Sequence, residues 1–202
     1  MNPLNSVKGS IVLGFVLAAI VSVWLSILAG IGVGFNAAQA GRWLHIVSGV
    51  MWIGLLYYFN VVQVPGLADA AADKGGPGGA GISKYIAPRA LLWFRWAAVV
   101  TWVTGAYYLA FGFGDVKVLH YAFALQEGFR TIGVGAWLGT IMLFNVWVFI
   151  WPNQKKVLGI VQASDEEKAK ARKTALMASR TNFVLSVPML LCMGGQSHGL
   201  PF

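Results

Sequence analysis

Apolar residues run along this chain in long stretches with few or no charges between short polar connections. Five such stretches stand out: Ile11 to Gly34, Trp43 to Gln63, Leu91 to Phe113, Ile132 to Trp151, and Phe183 to Met193 with its flanks. A helix needs about 20 apolar residues to cross the hydrocarbon core of a bilayer. The pattern therefore predicts an all-α integral membrane bundle of about five transmembrane helices, with spans near 11–34, 43–63, 91–113, 132–151 and 181–197. They form one multi-pass membrane domain over residues 1–202, which leaves no room for a separate soluble catalytic domain.

The connections add little chemistry. Gly30-Ile31-Gly32-Val33-Gly34 has a superficial likeness to a nucleotide-binding glycine loop, but no soluble strand and helix follow it, so it reads as a flexible or closely packed helix end. Residues 66–81 are rich in Gly, Ala and Asp without periodicity and read as a mobile loop. Ser164 and Glu167 have capping-box spacing, which predicts a polar helix near 165–179 leading into the fifth span. Gly135 and Gly139 form a GxxxG pattern that lets a neighbouring helix, or a flat cofactor, approach the backbone of the fourth span.

Composition agrees with the pattern. Apolar residues make up 57% and charged residues 11% of the 202, against roughly 45–50% and about 25% in soluble domains. The formal charge of +8 would suggest nucleic acid in a soluble chain, but 12 of the 15 Lys and Arg fall on one side of a five-span topology. The positive-inside rule then predicts a cytoplasmic N-terminus, a cytoplasmic loop around Lys155 to Arg180, and an outer, periplasmic C-terminus in a bacterial cytoplasmic membrane. A basic surface facing anionic lipid accounts for the charge, so lipid is the expected partner and nucleic acid is not. Ala38-Gln39-Ala40 mimics a signal-peptidase site, but the apolar run before it is longer than a signal sequence uses, so the first span reads as retained. Cys192 stands alone and no CxxCH occurs, which excludes covalent c-type haem in this chain.

The three histidines carry the candidate chemistry. In the predicted topology His45, His120 and His198 all fall on the outer side of the membrane. His45, Gly49 and Trp52 share a helix face at i, i+4 and i+7, an arrangement that suits a porphyrin plane above a small residue. The alternative is an interfacial histidine bonded to a neighbouring helix. An intramembrane histidine is rare and faces the bundle interior. Span five places Asn182, Ser186, Met189 and Met193 on one face, with His198 just beyond and able to fold back over it. His198 is the preferred second axial ligand, with His120 and Met189 as competitors and core packing as the plain reading of Met189. Asn60, Gln63, Arg95, Asn145 and Asn182 are polar groups at membrane depth or span ends that need partners. Arg95 reads as snorkelling to the head groups, with a haem propionate or an anionic substrate as the functional alternative. No Asp or Glu lies inside a predicted span, and no hydrolase triad, HExxH or phosphate loop is present, so no catalytic residue is assigned.

Several segments resemble the membrane domain of the bacterial membrane-bound urate oxidase (urate hydroxylase) family. They are Arg42-Trp-Leu-His45-Ile-Val-Ser-Gly49-Val-Met-Trp52-Ile-Gly54, Leu92-Trp93-Phe94-Arg95-Trp96, Gly139-Thr-Ile-Met142 with Asn145 and Pro152-Asn153-Gln154-Lys155-Lys156, and Arg180-Thr-Asn182 through Pro188 to Ser197-His198. A more distant likeness, confined to the His-Gly-Trp helix, is to haem-containing membrane protoporphyrinogen oxidases. The family resemblance implies urate oxidation with electrons passed to an outer c-type cytochrome domain, and it matches His45 and His198 to motif histidines. This chain would be a short form lacking the fused cytochrome, and it has Gly133 and Thr181 near positions where longer members carry histidines.

The leading expectation is a haem b binding electron-transfer subunit, with His45 and His198 as ligands, passing electrons toward an outer c-type cytochrome alongside other membrane subunits. The alternatives are a haem-free accessory subunit that stabilises a larger respiratory or other membrane complex, and a urate oxidase working with a separate cytochrome.

Overall fold

A computed structural model describes residues 2–201, and every regular element among them is helical. The helices are α1 (Val7–Leu28), α2 (Ala37–Tyr57), α3 (Val64–Ala72), α4 (Ala87–Phe111), α5 (Lys117–Phe123), α6 (Arg130–Phe144), α7 (Trp151–Val157) and α8 (Asp165–His198). Four continuous helical stretches are long and apolar enough to cross a bilayer: Val7–Leu28, Ala37–Ala72, Arg130–Val157 and Asp165–His198. The chain is a multi-pass membrane protein. α4, which forms from the third expected span, has the length, but Arg89, Arg95 and its Trp, Tyr and Thr residues dilute its apolar content, and it stands outside those four.

The chain divides into two units, Met1–Ala37 and Ala38–Phe202. In the first, the Ser6 hydroxyl accepts from the Gly9 amide and caps α1, while Gly30 at φ 66° follows its end. The helix therefore starts earlier and stops earlier than the expected 11–34, because Ser6 supplies an N-cap and the glycine-rich tail leaves the helix.

In the second unit, helices run past the expected boundaries for one repeated reason. Three π-helical turns, Tyr58–Gln63, Ile82–Ile86 and Asn145–Ile150, each come just before an X-Pro pair. Pro65, Pro88 and Pro152 follow Val64, Ala87 and Trp151, whose amides each donate to the carbonyl five residues back. Proline clashes with the carbonyl four residues before it. Widening the turn removes that carbonyl from the ring, so the helix continues without breaking. Hence α2 runs through a π turn into α3, and the segment 66–81, expected to be a mobile loop, is helical up to Ala72. The expected polar helix and fifth span are one 34-residue helix, α8, started by the expected capping box: Glu167 N–H donates to Ser164 Oγ at 3.2 Å and Ser164 N–H to Glu167 Oε2 at 2.8 Å. Pro188 lies inside this helix without stopping it.

The core joins α2, α4, α6 and α8. Trp52, Leu56, Phe59, Leu91, Phe94, Met142, Val146 and Met189 are buried together. The α6–α8 contact is close because Gly135 has no side chain: a Cβ there would lie 3.0 Å from Cys192 Cβ. Polar residues align between helices as well. Asn145 Nδ2 donates to Asn182 Oδ1 at 2.8 Å, and Asn182 Nδ2 donates to the Met142 carbonyl at 2.9 Å. Ser186 gives its proton to the Phe183 carbonyl at 2.7 Å, so the Tyr57 hydroxyl, 3.1 Å away, donates to Ser186. Asn60 donates to Ser179 Oγ at 2.9 Å. The polar face expected on span five is thus the buried face of α8.

Candidate functional site around His45

α2 and α4 meet at His45. Its Nδ1 lies 2.7 Å from the Thr101 carbonyl. A carbonyl can only accept, so Nδ1 carries the proton and Nε2 of the neutral ring is left with its lone pair. This is the second-sphere arrangement that metal-ligating histidines use: one ring nitrogen is fixed by an acceptor and the other is free for the metal. Among the described residues Nε2 makes no hydrogen bond.

Glycine makes room for the ring. A Cβ at Gly105, one turn beyond Thr101 on α4, would stand 2.8 Å from both Cε1 and Nδ1 of His45. Gly41 gives similar clearance to Tyr107, where a Cβ would meet the ring at 2.7 Å. Gly49 faces Thr101, with 3.6 Å between an added Cβ and the threonine methyl. Trp52 is buried in the core and its Nε1–H has no partner. The expected His45, Gly49, Trp52 face is therefore the face turned toward α4. The ring is bonded to a neighbouring helix, as the alternative reading of His45 has it, through Nδ1 alone.

The remaining expected residues do not gather around His45. His198 does not fold back over the α8 face; it is the last residue of the helix and is exposed, because α8 continues unbroken to Gly199 at φ 84°. α2 and α8 run antiparallel past the Tyr57–Ser186 contact. His45 and His198 each lie twelve residues from it, toward the same end of the bundle. His120 sits exposed on the short helix α5 beside Tyr121, 6.3 Å between ring centroids. Met189 belongs to the buried core. No cluster of three or more His, Cys, Asp or Glu suited to a metal occurs among the described residues.

Thr101 and Gly105 had no place in the reading of the sequence, although a small residue one turn after a threonine on an apolar helix is a packing mark. Gln196 is a further unforeseen residue. Its Oε1 accepts from the Ile132 amide at 3.0 Å and its Nε2 donates to the Gly128 carbonyl at 2.9 Å, tying the end of α8 to the start of α6. The Ile132 amide is one of the N-terminal donors that a helix cannot satisfy by itself. Arg42, one turn before His45, lies over the Tyr108 ring at 5.6 Å and adds a cation to this end.

No curated protein and no solved structure matches the chain. A family model does, over α5 to α8, so that His120, Met189 and His198 lie inside the matched segment and His45 lies before it. Residues 116–202 match the model for the urate oxidase N-terminal family, which is a likeness of that segment, from α5 to α8.

Proposed function

We propose that the chain is a haem b binding membrane subunit that carries electrons toward an outer c-type cytochrome, in the bacterial cytoplasmic membrane and alongside other membrane subunits. The observation that supports this reading is the His45 ring, with Nδ1 bonded to Thr101 and Nε2 open. His45 Nε2 would hold the iron, with His198 as its partner and His120 or Met189 as the alternatives. The haem would supply a one-electron carrier, and the protein would tune it through axial ligation and low dielectric. Thr101 fixes the ring's tautomer, Gly105 gives the ring room, and Gln196 anchors the helix end that carries His198. Arg42 offers a positive charge at the same end for an anionic edge of the group.

The family match adds a second reading, urate oxidation with a separate cytochrome as electron acceptor. A haem-free accessory subunit is the third. It is favoured by the Asn145–Asn182 and Tyr57–Ser186 pairs, which satisfy the buried polar face of α8 within the chain.

A dithionite-reduced minus air-oxidised spectrum of the purified protein tests these readings. We expect a b-type signal that disappears in His45→Ala and changes in His198→Ala. Gly105→Ala, which presses a methyl on the His45 ring, should lower haem retention while the helix content stays unchanged. A folded protein without a haem signal would overturn the proposal in favour of the accessory role. Bleaching or reduction on adding urate would establish the urate reading.

A further inference from the structure

Arg95 is a half-buried cation whose guanidinium sits 3.9 Å above the Trp151 ring centroid. Among the described residues it makes no hydrogen bond or ion pair, so its five N–H donors have no partner there. Lys155, from α7, brings its ammonium to 5.9 Å from the same indole. Two like charges from different helices thus meet on one ring with no carboxylate between them; the only ion pair among the described residues is Lys168–Asp165, at 3.6 Å. Gathering like charges is unfavourable unless an anion joins them. A guanidinium positioned over an indole presents its donor edge as a fork suited to an oxyanion. The flanking residues Trp93 and Trp96 are each 52% exposed, as aromatic residues of a membrane interface are. Thr101 lies six residues further along α4, about 9 Å of helix rise, so this cluster is separate from the His45 ring.

We propose that Arg95, Trp151 and Lys155 form a binding site for a phosphate oxyanion, supplied by the head group of an anionic phospholipid. The indole orients Arg95, whose fork takes two oxygens, and Lys155 adds a second charge. The lipid-facing tryptophans place the site where a head group lies and its chains can run down the bundle.

Native mass spectrometry of the full chain released from nanodiscs, titrated with phosphatidylglycerol against a phosphatidylcholine background, tests this directly. Arg95→Gln should weaken phosphatidylglycerol retention about tenfold, the loss of one charge-assisted pair, and Lys155→Gln about fivefold. Arg95→Lys should fall between wild type and Arg95→Gln, because it keeps the charge and loses the fork. Lys173→Gln, the same charge change on the polar start of α8, should leave retention unchanged. Equal retention in wild type and Arg95→Gln, or an equal loss in Lys173→Gln, would overturn the site. If Arg95→Gln does not fold, Lys155→Gln and Arg95→Lys decide by the same criteria. A separate arm adds inorganic phosphate to phosphatidylcholine nanodiscs and reads the melting temperature. No shift supports the lipid source, whereas a shift that vanishes in Lys155→Gln would overturn the lipid in favour of a soluble phosphate.

Discussion

α1 and α8 are built on opposite principles. α1 is the most apolar of the four spanning stretches, with Lys8 at its start as its one charged residue, and contains no buried residue. α8 begins with charged turns, yet buries Asn182 and Ser186 completely and Met189 almost so. In water the more apolar helix would be the one inside. In lipid the tails are as apolar as leucine, so helices associate through small residues, close packing and interhelical hydrogen bonds. α8 has all of these: Asn182 to Asn145, Ser186 to Tyr57, Ser179 to Asn60, and Gly135 of α6 against Cys192. α1 offers mostly branched aliphatic and aromatic groups that lipid can solvate equally well. Within the second unit, interhelical hydrogen bonds and close packing at small residues mark the buried face of α8.

The largest expected effect comes from removing the centre of that pattern. Asn182→Ala leaves the Asn145 side-chain amide without its partner, takes one donor from the Met142 carbonyl, and opens a cavity. It should cost about 3 kcal/mol, read as a loss of reversible unfolding free energy in mixed micelles. A change below about 0.5 kcal/mol, the size of an ordinary surface substitution, would show that the buried pair is not what holds α6 to α8. Gly135→Val tests the same interface through shape. Its Cβ would meet Cys192 at 3.0 Å and its methyls would press toward Met193, so about 2 kcal/mol should be lost by overpacking.

The same contrast explains how much of the molecule could be read from the sequence. Long apolar runs gave the helical membrane bundle, because the bilayer leaves the backbone no other way to satisfy itself except a closed barrel. Asn182, Ser186, Met189 and Met193 announced a shared face by spacing, and Asn182, Ser186 and Met189 are buried. Boundaries were harder. Pro65, Pro88 and Pro152 look like stops, and only the π turns before them show how helices pass through. His45 was legible as a candidate because an imidazole in an apolar run is unusual. Its partner was not, since the acceptor is the main-chain carbonyl of Thr101, which no side-chain pattern encodes. His198 was legible as a residue but not in its setting, because nothing before Gly199 marks where α8 ends.

Two smaller changes sharpen the contrast at the helix ends and on α1. Ser164→Ala removes one arm of the capping box at the start of α8 and should cost about 1 kcal/mol. Amide hydrogen exchange should place the loss in the first turns of α8. Leu17→Ala on α1 should change the unfolding free energy by less than about 0.5 kcal/mol, because Leu17 makes no buried contact within its own unit. Mixed-micelle unfolding of Leu17→Ala beside Asn182→Ala makes the test. If an exposed leucine on the most apolar helix costs as much as a buried asparagine on the most polar one, α1 is covered by protein in the assembled state. Burial in this molecule would then follow hydrophobicity after all.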